Sequence, residues 1–136
     1  MPAHETHHRV RFHELDPYDH VNHAMYVTYF EIGRVDALDA VDLGLDALKT
    51  KGFQFVVTAI EVRFRKAATA GEDLVILTGV GSFARASTTW HQEIRRGSDL
   101  IATAEVTVAV TDRSGRPIRP PAFVLEQLQP LVIVEA

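Results

Sequence analysis

No cysteine occurs among the 136 residues. That excludes disulfides, thiolate metal sites and a thiol nucleophile, and it fits a reducing compartment. Positive charge is also short: 14 basic against 18 acidic side chains give a net charge of −4, so no global field is offered to nucleic acid. Uninterrupted aliphatic runs such as Leu74 to Leu77 stop at four residues, far short of a membrane span. The opening stretch, Met1 to Asp16, is polar and His-rich, so no signal peptide is expected and the location expected is cytoplasmic. A phosphate-cradling glycine loop and a G-x-S-x-G elbow are both missing. His4, His7 and His8 lie in what reads as an unpatterned N-terminal tail without a carboxylate or thiolate partner set, so no metal site is expected.

What is present is the balance of an ordinary folded protein, 46% apolar and 24% charged, in a length that suits a single domain over residues 1–136. Thr6 to Leu15 alternates as a strand, with Arg9, Arg11 and His13 opposite Val10 and Phe12. Asp16-Pro17-Tyr18-Asp19 has the chemistry of a turn. Asn22 is placed to cap a helix running from about His23 to a stop near Gly44. Between Ala24 and Leu38 only Thr28, Glu31, Arg34 and Asp36 are strongly polar, so the helix should be buried on most sides. Gly33, Ala37, Ala40 and Gly44 would form a smooth stripe along it. Strands are expected over Phe53 to Lys66, Asp73 to Phe83, Ser87 to Arg96 (with Trp90 in the core) and Leu100 to Thr111, three long runs with short connections arguing an antiparallel meander. Ala122 to Leu128 suits a short helix. One helix enclosed by one highly curved sheet, in the α+β class, satisfies this order.

The densest polar cluster, Asp16-Pro17-Tyr18-Asp19-His20-Val21-Asn22-His23, falls where the first strand hands over to the helix. A helix start offers unpaired backbone N–H groups and the positive end of the macrodipole. Such donors beside a carboxylate are what acyl-group hydrolysis needs, because they stabilise the oxyanion while the carboxylate attacks or deprotonates water. The same residues also read as a plain Asp turn and an Asn cap.

The stretch Leu15 to Glu31, LDPYDHVNHAMYVTYFE, resembles the D-x-x-G-H-V-N-N-x-x-Y-x-x-Y-F-E signature of the hot-dog-fold acyl-CoA thioesterases, in their 4-hydroxybenzoyl-CoA thioesterase-like branch. The likeness continues through Gly44-Leu45, Val62 to Arg65, Gly71 to Asp73 and Gly115 to Pro117. It implies a hot-dog fold, a curved antiparallel sheet wrapped around one long central helix. It implies hydrolysis of an acyl-CoA to free acid and CoA without a metal or redox cofactor. It also implies that Asp16 is the catalytic carboxylate, as nucleophile or general base, and that the backbone N–H of His23 polarises the thioester carbonyl. His20 and Asn22 match residues that shape the turn and orient the water or the Asp. Two positions depart from the pattern: Asp19 stands in place of its Gly and His23 in place of its second Asn.

Glu31 is a second candidate carboxylate, although Arg34 three residues on is at ion-pair spacing. The resemblance puts CoA-phosphate contacts near Arg85 and near Arg116 and Arg119, each of which also reads as a solvated surface arginine. Rival readings are a hydratase or dehydratase acting on acyl thioesters and a non-catalytic acyl-thioester-binding subunit. A helix enclosed by its own sheet leaves no room for an acyl pocket in one chain. Hot-dog proteins answer that by pairing sheets edge to edge, so a homodimer or homotetramer is expected, with neither nucleic acid nor membrane as partner.

Overall fold

The structure, a computed structural model, describes residues 4–133. The chain runs β1 (His4–Arg9), a 3-10 turn (Phe12–Glu14), α1 (His23–Ala40), α2 (Leu45–Lys51), β2 (Phe53–Phe64), β3 (Asp73–Phe83), β4 (Ser87–Arg96), β5 (Asp99–Asp112), α3 (Ala122–Leu128) and a closing 3-10 turn (Gln129–Leu131). The five strands form one antiparallel sheet in the order β1-β3-β4-β5-β2. Consecutive strands β3, β4 and β5 are the expected meander. β1 adds to one edge and β2 to the other, so the sheet order places β2 as far as it can be from β1.

The core lies between the sheet and one side of α1. Tyr29, Phe30 and Ala37 of the helix meet Ile76, Val80, Trp90, Ile94 and Val106 of the strands, all fully or almost fully buried. Removing each large apolar side chain from water stabilises by about 1.5–3 kcal/mol. The approach is closest at Gly33, where an added Cβ would stand 2.6 Å from Ile76 Cγ2 and 2.9 Å from Thr78 Oγ1. Only a residue without a side chain lets the helix seat that deeply.

Four local expectations are corrected. The first strand begins earlier and ends sooner, so His4, His7 and His8 belong to β1 and not to a tail, and Phe12 is 82% exposed on the 3-10 turn. Glu14, in phase with Val10, takes the buried place instead. The helix stops at Ala40, because Asp42 adopts a left-handed φ of 60° and no i−4 ladder passes it. Gly44 therefore caps the start of α2 rather than closing α1, and Ala40 is exposed, which shortens the small-residue stripe to Gly33 and Ala37.

The fourth correction matters most. α1 is covered by its own sheet on one side only: Val27, Ile32 and Val35 remain more than a third exposed. The edge strand β2 likewise shows Val56, Val57, Ile60 and Phe64 to solvent. The helix sits over the β1–β3 half of the sheet and leaves the β2 side open, so the single chain is not full. No helix among the described residues is long and apolar enough to cross a membrane.

Candidate active site

Asp16 opens a five-residue loop that folds back on itself. Its N–H donates to His20 O (2.7 Å), its carbonyl accepts from Asp19 N–H (3.1 Å), and Leu15 bridges to Val21. The Asp16 carboxylate uses Oδ1 to accept from the N–H groups of Tyr18 (2.8 Å) and His20 (3.2 Å). Two bonds on one oxygen fix the carboxylate and leave Oδ2 without a partner among the described residues. The local chemistry is that of an Asx turn.

Asn22 then caps α1, its side-chain oxygen accepting from Ala24 N–H at 3.0 Å. The N–H of His23, first residue of the helix, has no acceptor among the described residues. It is an orphan donor at the positive end of the helix. Asp16, His20, His23, Tyr26, Phe64 and Lys66 line one pocket of about 290 Å³, open to solvent. Phe64 of β2, 52% exposed, forms its far wall and packs on Tyr26 with ring centroids 5.5 Å apart.

Asp19 adopts φ 63°. This is the position where the matched signature carries Gly, and the left-handed backbone is the reason, since Asp tolerates it better than most side chains. Thr69 Oγ1 ties the strained turn down by donating to Asp19 O at 2.8 Å. Asp19→Gly is expected to raise the unfolding free energy by about 1 kcal/mol and Asp19→Val to lower it by at least as much. Thermal melts of the two variants, moving in opposite directions from the parent, check this.

A buried network that the sequence did not announce holds the loop from behind. Glu14 Oε1 accepts from Arg11 N–H (2.8 Å), Tyr29 OH (2.9 Å) and His8 Nε2 (3.0 Å), and the Glu14 carbonyl accepts from Asn22 N–H (2.9 Å). Burial pushes the Glu14 carboxyl up, but these donors outweigh it and hold it below the usual carboxylate value. Burial and the bond to Glu14 push the Tyr29 phenol up in turn. One loose signal existed: Glu14 falls in phase with the inward Val10.

The structure separates the remaining candidates. Glu31 lies eight residues beyond His23, about 12 Å along the helix, exposed and outside the Asp16 pocket. The expected Glu31–Arg34 ion pair does not form. Arg34 turns inward and Nη1 donates to Gln92 Oε1 at 2.9 Å. Arg85, Arg116 and Arg119 are all exposed at the opposite end of the sheet. Ala86 and Ile118, their neighbours, both bond to Val110 of β5, whereas the Asp16 pocket adjoins Phe64, which pairs with Ala102. Eight residues of strand separate the two ends, about 27 Å. No group of three or more metal-ligating side chains occurs among the described residues; His4 bonds Asp36 and His8 bonds Glu14.

One long helix packed on a five-stranded antiparallel sheet is the arrangement of the hot-dog class. The sequence profile of the Thioesterase-like superfamily matches residues 10–128, and the chain belongs to that family. Among curated proteins it is similar to the chloroplastic acyl-acyl carrier protein thioesterase ATL2 of Arabidopsis thaliana, 25% identical over 89% of this chain and 65% of that protein. The chain thus spans just under two thirds of that relative's length. Among solved structures it is similar to a probable thioesterase from Bartonella henselae, with 29% identity, TM-score 0.82 and coverage of 87% of this chain and 98% of that one. A Thermus thermophilus thioesterase complexed with coenzyme A and Zn has the same fold, with TM-score 0.85, 23% identity and coverage of 96% and 94%.

Proposed function

We propose that this protein hydrolyses an acyl-CoA thioester to the free carboxylic acid and CoA, with residues 1–136 acting as one domain. The observation that carries the reading is the pairing of a half-satisfied Asp16 carboxylate with the unbonded N–H of His23 in one pocket. Asp16 Oδ2 either attacks the thioester carbonyl, the C–S bond breaking to release CoA thiolate and leave an acyl-aspartyl anhydride that water hydrolyses, or takes a proton from the attacking water as the C–S bond breaks to release CoA. In both, the His23 N–H receives the developing oxyanion. His20 fixes the carboxylate through its backbone N–H, and Asn22 fixes the helix start. Glu31 stands apart from this chemistry. The coenzyme A held by the Thermus neighbour supports the carrier assignment, and the Arabidopsis relative makes acyl carrier protein the competitor to be tested.

The reading includes a second copy. A two-fold pairing of β2 with β2 of a partner runs the strands in opposite directions and brings the partner's Val110 end beside this chain's Phe64. Arg85 and Arg119 of one copy then reach the pocket of Asp16 of the other, where CoA phosphates need cations. This removes the 27 Å gap found within one chain and covers the apolar β2 edge.

The test is thiol release from short, long, branched and aromatic acyl-CoAs, with acyl carrier protein esters alongside. The expected result is release from at least one class of acyl-CoA and no hydration of crotonyl-CoA. Hydration without release, or tight CoA binding without release from any ester, overturns the reading.

A further inference from the structure

Arg34 is 8% exposed, yet no carboxylate hydrogen-bonds to it; Glu31, three residues back, acts on it only through space. Buried guanidinium groups ordinarily have an anionic partner, because an uncompensated charge in the interior is costly. Here a single N–H, that of Nη1, is taken, and by a neutral amide. That amide is itself locked: Gln92 Nε2 donates to Phe30 O at 2.9 Å and to Thr78 Oγ1 at 3.0 Å, which aims Oε1 at Arg34. Nε and Nη2 find no acceptor among the described residues. No fully buried side-chain polar atom there lacks a partner, so these donors are not sealed in. Arg34 lines a cleft of about 240 Å³ between α1 and the β2 side of the sheet.

Apart from Glu31 and Arg34, that cleft is lined by apolar side chains, among them Val35, Phe55, Val57 and Trp90. It is distinct from the Asp16 pocket but lies along the same helix, and its β2 wall, Phe55 and Val57, belongs to the edge strand that the proposed dimer pairs. Eleven residues separate His23 from Arg34, about 16 Å of helix. An acyl chain held at the thioester by His23 and laid down α1 would meet apolar wall and then a preorganised cation.

We infer that Arg34 is a specificity residue that selects acyl chains carrying a hydrogen-bond-accepting oxygen remote from the thioester, such as a hydroxyl, a ketone or a carboxylate. The inference rests on the thioesterase reading. A plain alkyl chain in the cleft strips water from Nε and Nη2 and returns nothing, whereas an oxygenated chain replaces the lost bonds. Arg34 touches neither the scissile bond nor the water, so its role is selection.

Trp90 is the one tryptophan of the chain and lines this cleft, so its fluorescence reports occupancy independently of turnover. The full-length protein in the Asp16→Asn background is titrated with a length series of acyl-CoAs from octanoyl to myristoyl, in plain, ω-hydroxy and ω-carboxy forms. The expected result is a Kd at least about tenfold lower for an oxygenated ester than for its plain match. With Arg34→Met added, the ratio falls to within about twofold, while Arg34→Lys, keeping the charge but not the fork, retains part of it. Equal Kd values in the Arg34 protein overturn the inference without any variant being needed. So does a preference that survives Arg34→Met, or an equal loss for plain and oxygenated esters, which is what a merely structural arginine would give. Failure of the thioesterase reading shows separately, as absent thiol release from the Asp16 protein, and leaves the binding ratio measurable.

Discussion

Asp16→Asn is expected to lower kcat/KM for thioester hydrolysis by about a thousandfold while the protein keeps its melting temperature. The substitution separates the two jobs of the side chain. Oδ1 accepts from Tyr18 and His20 N–H, and the amide oxygen of Asn can accept both, so the loop closes as before. Oδ2, which has no partner among the described residues, becomes an amide nitrogen that neither attacks a carbonyl nor takes a proton from water. His23 N–H is untouched, so the part of the acceleration that comes from oxyanion stabilisation remains, an effect of about 10²–10³ in comparable sites. Asp16→Ala removes the turn bonds as well and should lose activity to a similar depth with a lower melting temperature. Thiol release and thermal melts on the three proteins decide the matter. An Asn variant with more than a tenth of parental activity removes Asp16 from the chemistry.

The Asp16 loop was legible in the sequence because its causes are local. An Asp before Pro, a capping Asn and the first turn of a helix lie within eight residues and need no distant contact to be recognised. The strands were legible for the same reason, apart from their ends. Glu14 was not, since what makes it important is His8 and Tyr29 converging on one oxygen across three elements. Arg34 was misread because spacing along a helix offers Glu31 as its partner, while the pull inward comes from Gln92, 58 residues on. The break after Ala40 carries no Pro and no Gly; it depends on Asp42 accepting a left-handed backbone. Sheet order is the largest gap. Nothing in β2 announces that it pairs with β5 and leaves its other edge bare, and that bare edge is where the expectation of a filled core failed.

Ile60→Asp is expected to convert a dimer into a monomer and abolish hydrolysis together. Ile60, Val57 and Phe64 lie exposed on the edge strand, and β2 bonds to β5 on one side only. A long edge with apolar side chains and free backbone groups is ordinarily blocked by charge or a covering element. Glu61 and Arg63 are the charges β2 carries, and they pair with each other at 3.1 Å. Ile60 lies near the middle of β2, so in the proposed edge-to-edge dimer an Asp there brings two like charges close together across the seam. Desolvating them costs several kcal/mol, which at 1.4 kcal/mol per tenfold raises Kd by about a thousandfold. Size-exclusion chromatography with light scattering should show the mass falling from twice 15.1 kDa to 15.1 kDa. Activity is expected to fall with it, because on the proposed reading the CoA phosphates are met by Arg85 and Arg119 of the other copy. Asp16 and the arginines then define a complementation test. Mixing Asp16→Asn with Arg85→Glu/Arg119→Glu protein, each expected to be inactive alone, restores up to about one site's worth of activity per heterodimer, half that of the parental dimer. In such a heterodimer one pocket combines an intact Asp16 with the other copy's intact arginines, and the second pocket lacks both. A mixture that exchanges subunits but stays inactive, or an active Ile60→Asp monomer, would show that each chain carries a complete site.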